Sequence, residues 1–179
     1  MSGGFAHMTG EADGPPTLPP FGLADGVAGY AAASAVLAAL VARSAGSHGQ
    51  VIDMSLLEPL LSILGPAPSA YQQLGAVAGR HGNASPNNAP PRNTYRTRDD
   101  RWVAISSSTT AVARRVMSIV GRPAIAQEPW FVSASERAAR RALLDRVVGE
   151  WVGRHDLEEV MRAFTEGGAA AAASTTSPR

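Results

Sequence analysis

All sixteen basic side chains of this 179-residue sequence are arginines, and cysteine is absent. Without lysine there is no Schiff-base chemistry and no lysine for a phosphate-binding G-x-x-x-x-G-K loop. Without cysteine there is no thiolate nucleophile, no disulfide and no sulfur-ligated zinc or iron–sulfur centre. Acid–base chemistry near neutrality falls by default to His7, His48, His81 and His155. No two of these stand at the i, i+4 spacing that aims a pair at one metal ion, so no metal site is expected. His81 has the best claim to a role, because it precedes Gly82-Asn83 in a Gly/Asn-rich connection between two structural stretches, and ligand sites favour such junctions. Its alternative is a plain loop histidine. Asp25 and Asp53 read as helix-capping residues rather than catalytic carboxylates. The glycines at 3, 4, 10 and 14 could cradle a phosphate only directly between a strand and a helix, and four prolines intervene before the first helix. Arg114-Arg115 with Arg137, Arg140 and Arg141 could mark nucleic-acid binding, but Glu136, Asp145 and Glu150 interleave with them. A solvated helix face is the simpler reading, and no nucleic-acid partner is expected.

The elements that must position these residues divide near residue 90. Residues 1–90 carry two Arg against five acids, a net charge of −3, and the remainder fourteen Arg against ten acids, a net of +4. With 45% apolar and 17% charged residues, the length suits one domain or one and a half. Residues 1–23 are rich in Gly and Pro and read as loop, with neither the basic start nor the apolar run of a signal peptide. Asp25 reads as the cap of a helix to Arg43. That helix has no charge from Gly26 to Ala42 and therefore reads as enclosed in a core; a membrane span is the alternative, but needs about 20 strongly apolar residues. Residues 50–54 read as a short strand or helix entry. Ser55 to Glu58 is a capping box for a helix, bent or shortened by Pro59, with Leu57, Leu60, Leu61 and Leu64 on one side.

Residues 65–92 read as a Pro/Gly/Asn linker. A hairpin of 94–97 and 101–105 follows, turning at Arg98-Asp99-Asp100, with Tyr95, Trp102 and Ala104 as candidates for burial. A helix over 111–120 stops at Gly121. A second opens at the Ser133–Glu136 capping box, with Leu143, Leu144, Val147, Val148, Trp151 and Val152 repeating at three- and four-residue steps. A third starts at Asp156 and stops at Gly167. Residues 169–179 have neither period nor caps and read as an unstructured tail. Composition and spacing alone thus give a mainly helical protein with a small β element, and no reaction.

A series of segments in fixed order carries more. Thr9-Gly10-Glu11 and Asp13-Gly14-Pro15-Pro16 are followed by Leu23-Ala24-Asp25 leading into the alanine-rich helix, and then by 49–58 (GQVIDMSLLE). Gly82-Asn83, Tyr95, Thr97, 100–105 (DRWVAI) and Gly121-Arg122-Pro123 continue the pattern. In this order they resemble the family III CoA-transferases, which include formyl-CoA transferase, carnitine CoA-transferase and the bile-acid-inducible enzymes, with α-methylacyl-CoA racemase as a relative. The resemblance covers nearly the whole chain to about Ala172.

The resemblance implies an α/β fold of Rossmann type plus a smaller domain, in chains that interlock as a dimer, and a cytoplasmic address. This sequence then corresponds to a mostly helical internal fragment: 1–64 as part of the large CoA-binding domain, 65–92 as linker, 93–168 as a small α+β domain with a short antiparallel hairpin or sheet. The implied chemistry moves CoA between carboxylic acids through an aspartate that forms mixed-anhydride and aspartyl-CoA thioester intermediates. The pattern places that aspartate shortly before Ser2, so no catalytic residue transfers and the isolated chain is expected to be inactive. The implied substrate-pocket positions are His81, Gly82, Asn83 and Asn93. Coenzyme A enters as a thioester substrate, with no tightly bound cofactor and no metal. The implied partners are acyl-CoA, a carboxylic acid, and a second copy or a complementing N-terminal fragment. Two departures stand out: residues 84–93 are Pro- and Asn-rich where formyl-CoA transferase has a mobile glycine-rich loop, and Arg96 stands where the racemase branch has an acid, which favours the transferase. A non-catalytic remnant or a subunit of a split enzyme is the alternative, and the racemase branch a second.

Overall fold

A computed structural model describes residues 4–84, 89–107 and 109–174. The chain forms two compact units, Met1–Gly82 and Asn83–Arg179, and the break falls within the stretch read as linker.

In the first unit, the single turn α1 (Phe5–Met8) is closed by Thr9, whose hydroxyl donates to the Phe5 carbonyl at 2.8 Å. The long helix α2 (Leu23–Ser44) begins two residues before Asp25. Gly22 takes the N-cap position, so the reading of Asp25 as the cap is corrected: its carboxylate lies in the first turn, where the helix dipole favours an anion. Expected to be enclosed, α2 is instead mostly exposed. Ala28 is its one buried residue, while Tyr30, Leu37 and Val41 are 83%, 64% and 70% exposed. Its length and composition would suffice to cross a membrane. Burial needs a second surface, and the first unit offers α2 little beyond the short α3 (Leu57–Ser62) that packs on it.

Residues 50–54 form neither strand nor helix, and Val51 is 98% exposed. The Ser55 hydroxyl accepts from the Glu58 amide at 3.1 Å and donates to the Glu58 carboxylate at 3.2 Å, but Leu56 takes the N-cap position of α3, so the expected capping box at Ser55 is corrected: the Ser55 hydroxyl, not its backbone amide, meets the carboxylate. Helix α4 (Ala67–Leu74) lies where the composition read as linker. Pro66 at its N-cap and Gly75 at its end, with φ +65°, confine it to two turns.

The second unit is built on an antiparallel sheet in the order β1 (Arg92–Arg96), β2 (Trp102–Ser106), β3 (Ala170–Ser174). Tyr95 stands opposite Val103 and Asn93 opposite Ile105. Cross-strand partners share a face, so Val103 and Ile105 are buried beside Tyr95, while Trp102 and Ala104 point the other way. The expected burial of Trp102 and Ala104 is therefore corrected. The turn fixes this pairing: Asp100 adopts φ +63°, the Thr97 amide donates to the Arg101 carbonyl at 2.8 Å, and the Arg101 amide donates to the Thr97 hydroxyl at 3.0 Å.

Strand β3 occupies 170–174 of the expected unstructured tail; residues 175–179 lie outside the described residues. Its alanines carry little strand propensity of their own. Gly168, at φ +62°, turns the chain back after the last helix, and β2 supplies the ladder.

Helix α5 (Thr110–Ile119) is capped by the Thr109 hydroxyl, which accepts from the Val112 amide at 3.3 Å, and stops before Gly121 at φ +70°. Two 3-10 turns, Pro123–Gln127 and Pro129–Val132, follow. The single helix expected after Ser133 is two, α6 (Ala134–Ala139) and α7 (Arg141–Val152), interrupted at Arg140. The break leaves Arg137 buried on the first and Leu144, Val148 and Val152 buried on the second. Helix α8 (Leu157–Glu166) starts at a complete capping box between Asp156 and Glu159. Val103, Ile105, Val116, Met117, Phe131, Leu144, Val160 and Phe164 form the core between sheet and helices.

Candidate functional site

His81 and Gly82 close the first unit. His81 is exposed. Gly82 has φ +57° and donates its amide to the Gly10 carbonyl at 2.9 Å. A Cβ at Gly82 would lie 2.7 Å from a Glu11 carboxylate oxygen, so the carboxylate rests on the open face of the glycine. Arg80 completes the contact: its Nε donates to the Glu11 carbonyl at 3.2 Å and its Nη1 to the His7 carbonyl at 3.3 Å. Gly10, at φ +120°, is also closed to larger residues, since a Cβ there would meet the Pro15 carbonyl oxygen and the Thr17 hydroxyl at 2.8 Å. Segments 9–11 and 80–82, some seventy residues apart in sequence, thus form one junction. The sequence reading treated both as loops; nothing local in either points to the other.

Asn83 and Asn93 belong to the second unit. The Asn83 amide donates to the Thr94 hydroxyl at 2.8 Å. Asn93 donates its side-chain amide to Asp145 at 3.2 Å and accepts from the Thr94 backbone amide at 2.8 Å, so its carboxamide is engaged at both ends. The other oxygen of Asp145 accepts from the Tyr95 hydroxyl at 2.8 Å. Burial first, and the neighbouring Asp145 carboxylate second, push the Tyr95 phenol well above its ordinary value. Asp145 lies in the stretch expected to form a solvated helix face, and its partners on β1 are tertiary contacts that no spacing on α7 announces. Residues 85–88 of the intervening segment lie outside the described residues.

The arginines expected to coat a solvated face do so only in part. Arg140 lies over the Trp130 ring and pairs with Glu136, and Arg115 donates to the Gly168 carbonyl at 3.0 Å. Arg137 departs from the expectation: it is 2% exposed and donates to the carbonyls of Pro90 and Phe131 and to the Thr110 hydroxyl. Desolvation, with Arg114 nearby as a smaller cause, lowers its pKa. Three elements are tied by this one guanidinium.

A cleft of the first unit, about 420 Å³, is walled by Phe5, Leu18, Phe21, Leu57 and Leu60, with Asp25 among its lining residues. None of His81, Gly82, Asn83 or Asn93 lines it. Among the described residues no cluster of three or more His, Asp or Glu could hold a metal ion. No hydrogen bond among the described residues joins a histidine to a carboxylate or a hydroxyl, the arrangement that activates a nucleophile.

Comparison with known proteins supplies what the geometry leaves open. The model of CoA-transferase family III matches residues 1–177. The chain is 31% identical over 166 residues to succinyl-CoA--D-citramalate CoA-transferase of Chloroflexus aurantiacus, covering 93% of this chain and 41% of that protein. It is 30% identical to the alpha subunit of succinyl-CoA--L-malate CoA-transferase of Chloroflexus aurantiacus, covering 91% and 38%. Among solved structures, a CAIB/BAIF family protein from Brucella suis superposes with a TM-score of 0.70 at 26% identity, over 97% of this chain and 46% of that one. Rv3272 from Mycobacterium tuberculosis shares the fold, with a TM-score of 0.73 at 20% identity over 92% and 43%. The chain spans about two-fifths of the length of the curated relatives it matches.

Proposed function

Because the chain belongs to CoA-transferase family III, we propose that it supplies part of an enzyme that moves CoA between carboxylic acids by way of an aspartyl intermediate. The observation that carries this reading is the match across residues 1–177 together with about 30% identity to several CoA-transferases over nine-tenths of the chain. The acids named in those relatives, succinate, malate and citramalate, make short dicarboxylic acids the substrate class to test first. The substrate is a CoA thioester, and no resident cofactor is needed. In this reading a carboxylate attacks the thioester carbonyl and CoA leaves as thiolate. CoA then attacks the aspartyl carbonyl of the mixed anhydride, releasing the first acid and leaving an aspartyl-CoA thioester. The second acid reverses the same two steps, leaving as its CoA thioester and freeing the aspartate. His81, Gly82, Asn83 and Asn93 are the positions proposed to meet the acyl substrate. Of these, Asn93 is held by Asp145 and Gly82 by Gly10, so both are fixed before a ligand arrives.

The test is transfer of label from succinate into a CoA thioester. The 179-residue chain alone is expected to give background only. A polypeptide read in frame upstream of Met1, if it includes an aspartate within a few codons, is expected to catalyse exchange and to lose it when that aspartate becomes alanine. Exchange by the 179-residue chain itself would overturn the assignment of the nucleophile outside it, and a longer polypeptide without exchange would overturn the transferase reading.

A second reading, a subunit that pairs with another polypeptide or with itself as a dimer, is favoured by the apolar surface of α2, which the described residues of the first unit leave largely uncovered. Relatives that occur as alpha and beta subunits of one enzyme show the family accommodating such pairs. The cytoplasmic address belongs to the same proposal.

A further inference from the structure

The junction between 9–11 and 80–82 contains more organisation than a loop crossing requires. Two of its residues are glycines whose open faces are occupied, Gly10 by the Pro15 carbonyl and Thr17 hydroxyl, and Gly82 by the Glu11 carboxylate. Both have positive φ, so each is excluded from other residue types twice over, by backbone conformation and by space. One backbone hydrogen bond crosses the junction, from the Gly82 amide to the Gly10 carbonyl. The remaining polar links come from a single side chain. The planar fork of Arg80 spans two carbonyls, those of His7 and Glu11, which lie four residues apart on either side of the α1 terminus. Hydrogen bonds from a cation to a carbonyl are stronger than neutral ones, and a fork making two of them fixes orientation as well as distance.

We propose that Arg80 is a positioning residue. By bridging the His7 and Glu11 carbonyls it docks 80–82 onto 9–11, and so holds the backbone of His81 and Gly82 in one place for the acyl substrate. This inference rests on the reading of His81 and Gly82 as substrate-pocket positions, and adds the residue that fixes their backbone. The adjacent Gly82 then serves as the pivot, its missing side chain leaving room for the Glu11 carboxylate.

The test is amide hydrogen exchange measured by NMR on the full 179-residue chain without substrate. Arg80→Ala is expected to accelerate exchange at the Gly82 amide by about tenfold or more, while Val103 and Ile105 in the second unit keep their wild-type rates. Arg80→Lys, whose compact ammonium lacks the planar fork, is expected to recover part of the protection. An unchanged Gly82 rate in Arg80→Ala overturns the proposal. So does uniform acceleration of every amide from 4 to 84, which would make Arg80 a general stabiliser. Should Arg80→Ala fail to fold, Gly82→Ala supplies the second arm. It is expected to expose the same amide, and Glu11→Ala is expected to relieve part of that defect by clearing the carboxylate; no relief overturns the fit of Glu11 on Gly82. Absence of CoA exchange in the longer polypeptide would remove the functional reading and leave these rates untouched, so the two failures are separable.

Discussion

At the scale of single residues, the triad of Tyr95, Asn93 and Asp145 is the best-defined polar device of the second unit. Asp145 accepts from both partners on β1, which locks α7 to the strand that follows the candidate pocket segment. Tyr95→Phe removes the hydroxyl that a buried ring donates to the half-buried Asp145 carboxylate and is expected to cost about 1–2 kcal/mol in urea denaturation. The loss also has a pH signature. The folded phenol titrates above its unfolded value, so its contribution is complete below about pH 10, where a free tyrosine ionises, and declines as pH rises further. Wild-type stability is therefore expected to fall above pH 10 more steeply than that of Tyr95→Phe; parallel curves would count against the buried, Asp145-bonded phenol. Of the three residues expected to be buried, Tyr95 is, while Trp102 and Ala104 lie on the other face of the sheet. One residue of register separates the two answers, and the register is set by the Thr97–Arg101 turn with its left-handed Asp100 rather than by the strand residues themselves.

At the scale of elements, the hairpin tip and the start of α8 stabilise one another. Arg98 forks onto both oxygens of Asp156, the Arg98 amide donates to the His155 carbonyl, and Asp99 accepts from the Leu157 amide at 3.0 Å. Asp156→Ala breaks both the capping box and the Arg98 fork and is expected to lower stability by about 1–2 kcal/mol, most of it from the cap, because exposed ion pairs contribute little. A hydrogen bond from Thr97 is the main cause that holds the Asp99 carboxyl below the ordinary aspartate range. A depressed carboxyl stabilises above its unfolded value of about 3.9 and loses that contribution as pH falls through its folded value. Acid titration followed by circular dichroism should therefore show Asp99→Asn less sensitive than wild type below about pH 4; an unchanged acid limb would refute the link. The caps at Ser133 and Asp156 were legible in the sequence because a capping box is a contact over three residues. The α6–α7 break and β3 were not. Helix α6 ends at Arg140 and carries the buried Arg137 to Pro90, Phe131 and Thr110, partners that no helical spacing announces, and an alanine run becomes a strand only because β2 has a free edge beside it.

At the scale of the whole molecule, the two units differ in how much of their apolar sequence they bury. The second closes a core around Val103, Phe131, Leu144 and Phe164; the first leaves one face of a 22-residue helix open. Leu37→Asp with Val41→Asp, placed on that face, is expected to leave the thermal midpoint of the chain nearly unchanged, within about 0.5 kcal/mol per site, and to reduce self-association measured by light scattering. A large loss of stability would mean that α2 is enclosed in solution. The sequence by itself determined the family, the helix starts at Ser133 and Asp156, the stop before Gly121 and the change of character near residue 90, because each rests on local order or on short-range contacts. Only the tertiary structure decided which strand face is buried, that Asp145 holds Asn93, that Arg80 ties 80–82 to 9–11, and that the alanines at 170–174 pair with β2. Each of these joins residues far apart in sequence through the path of the backbone, and an apolar stretch such as 26–42 states only that it needs a partner surface, whereas whether one is present depends on what the rest of the fold brings to it.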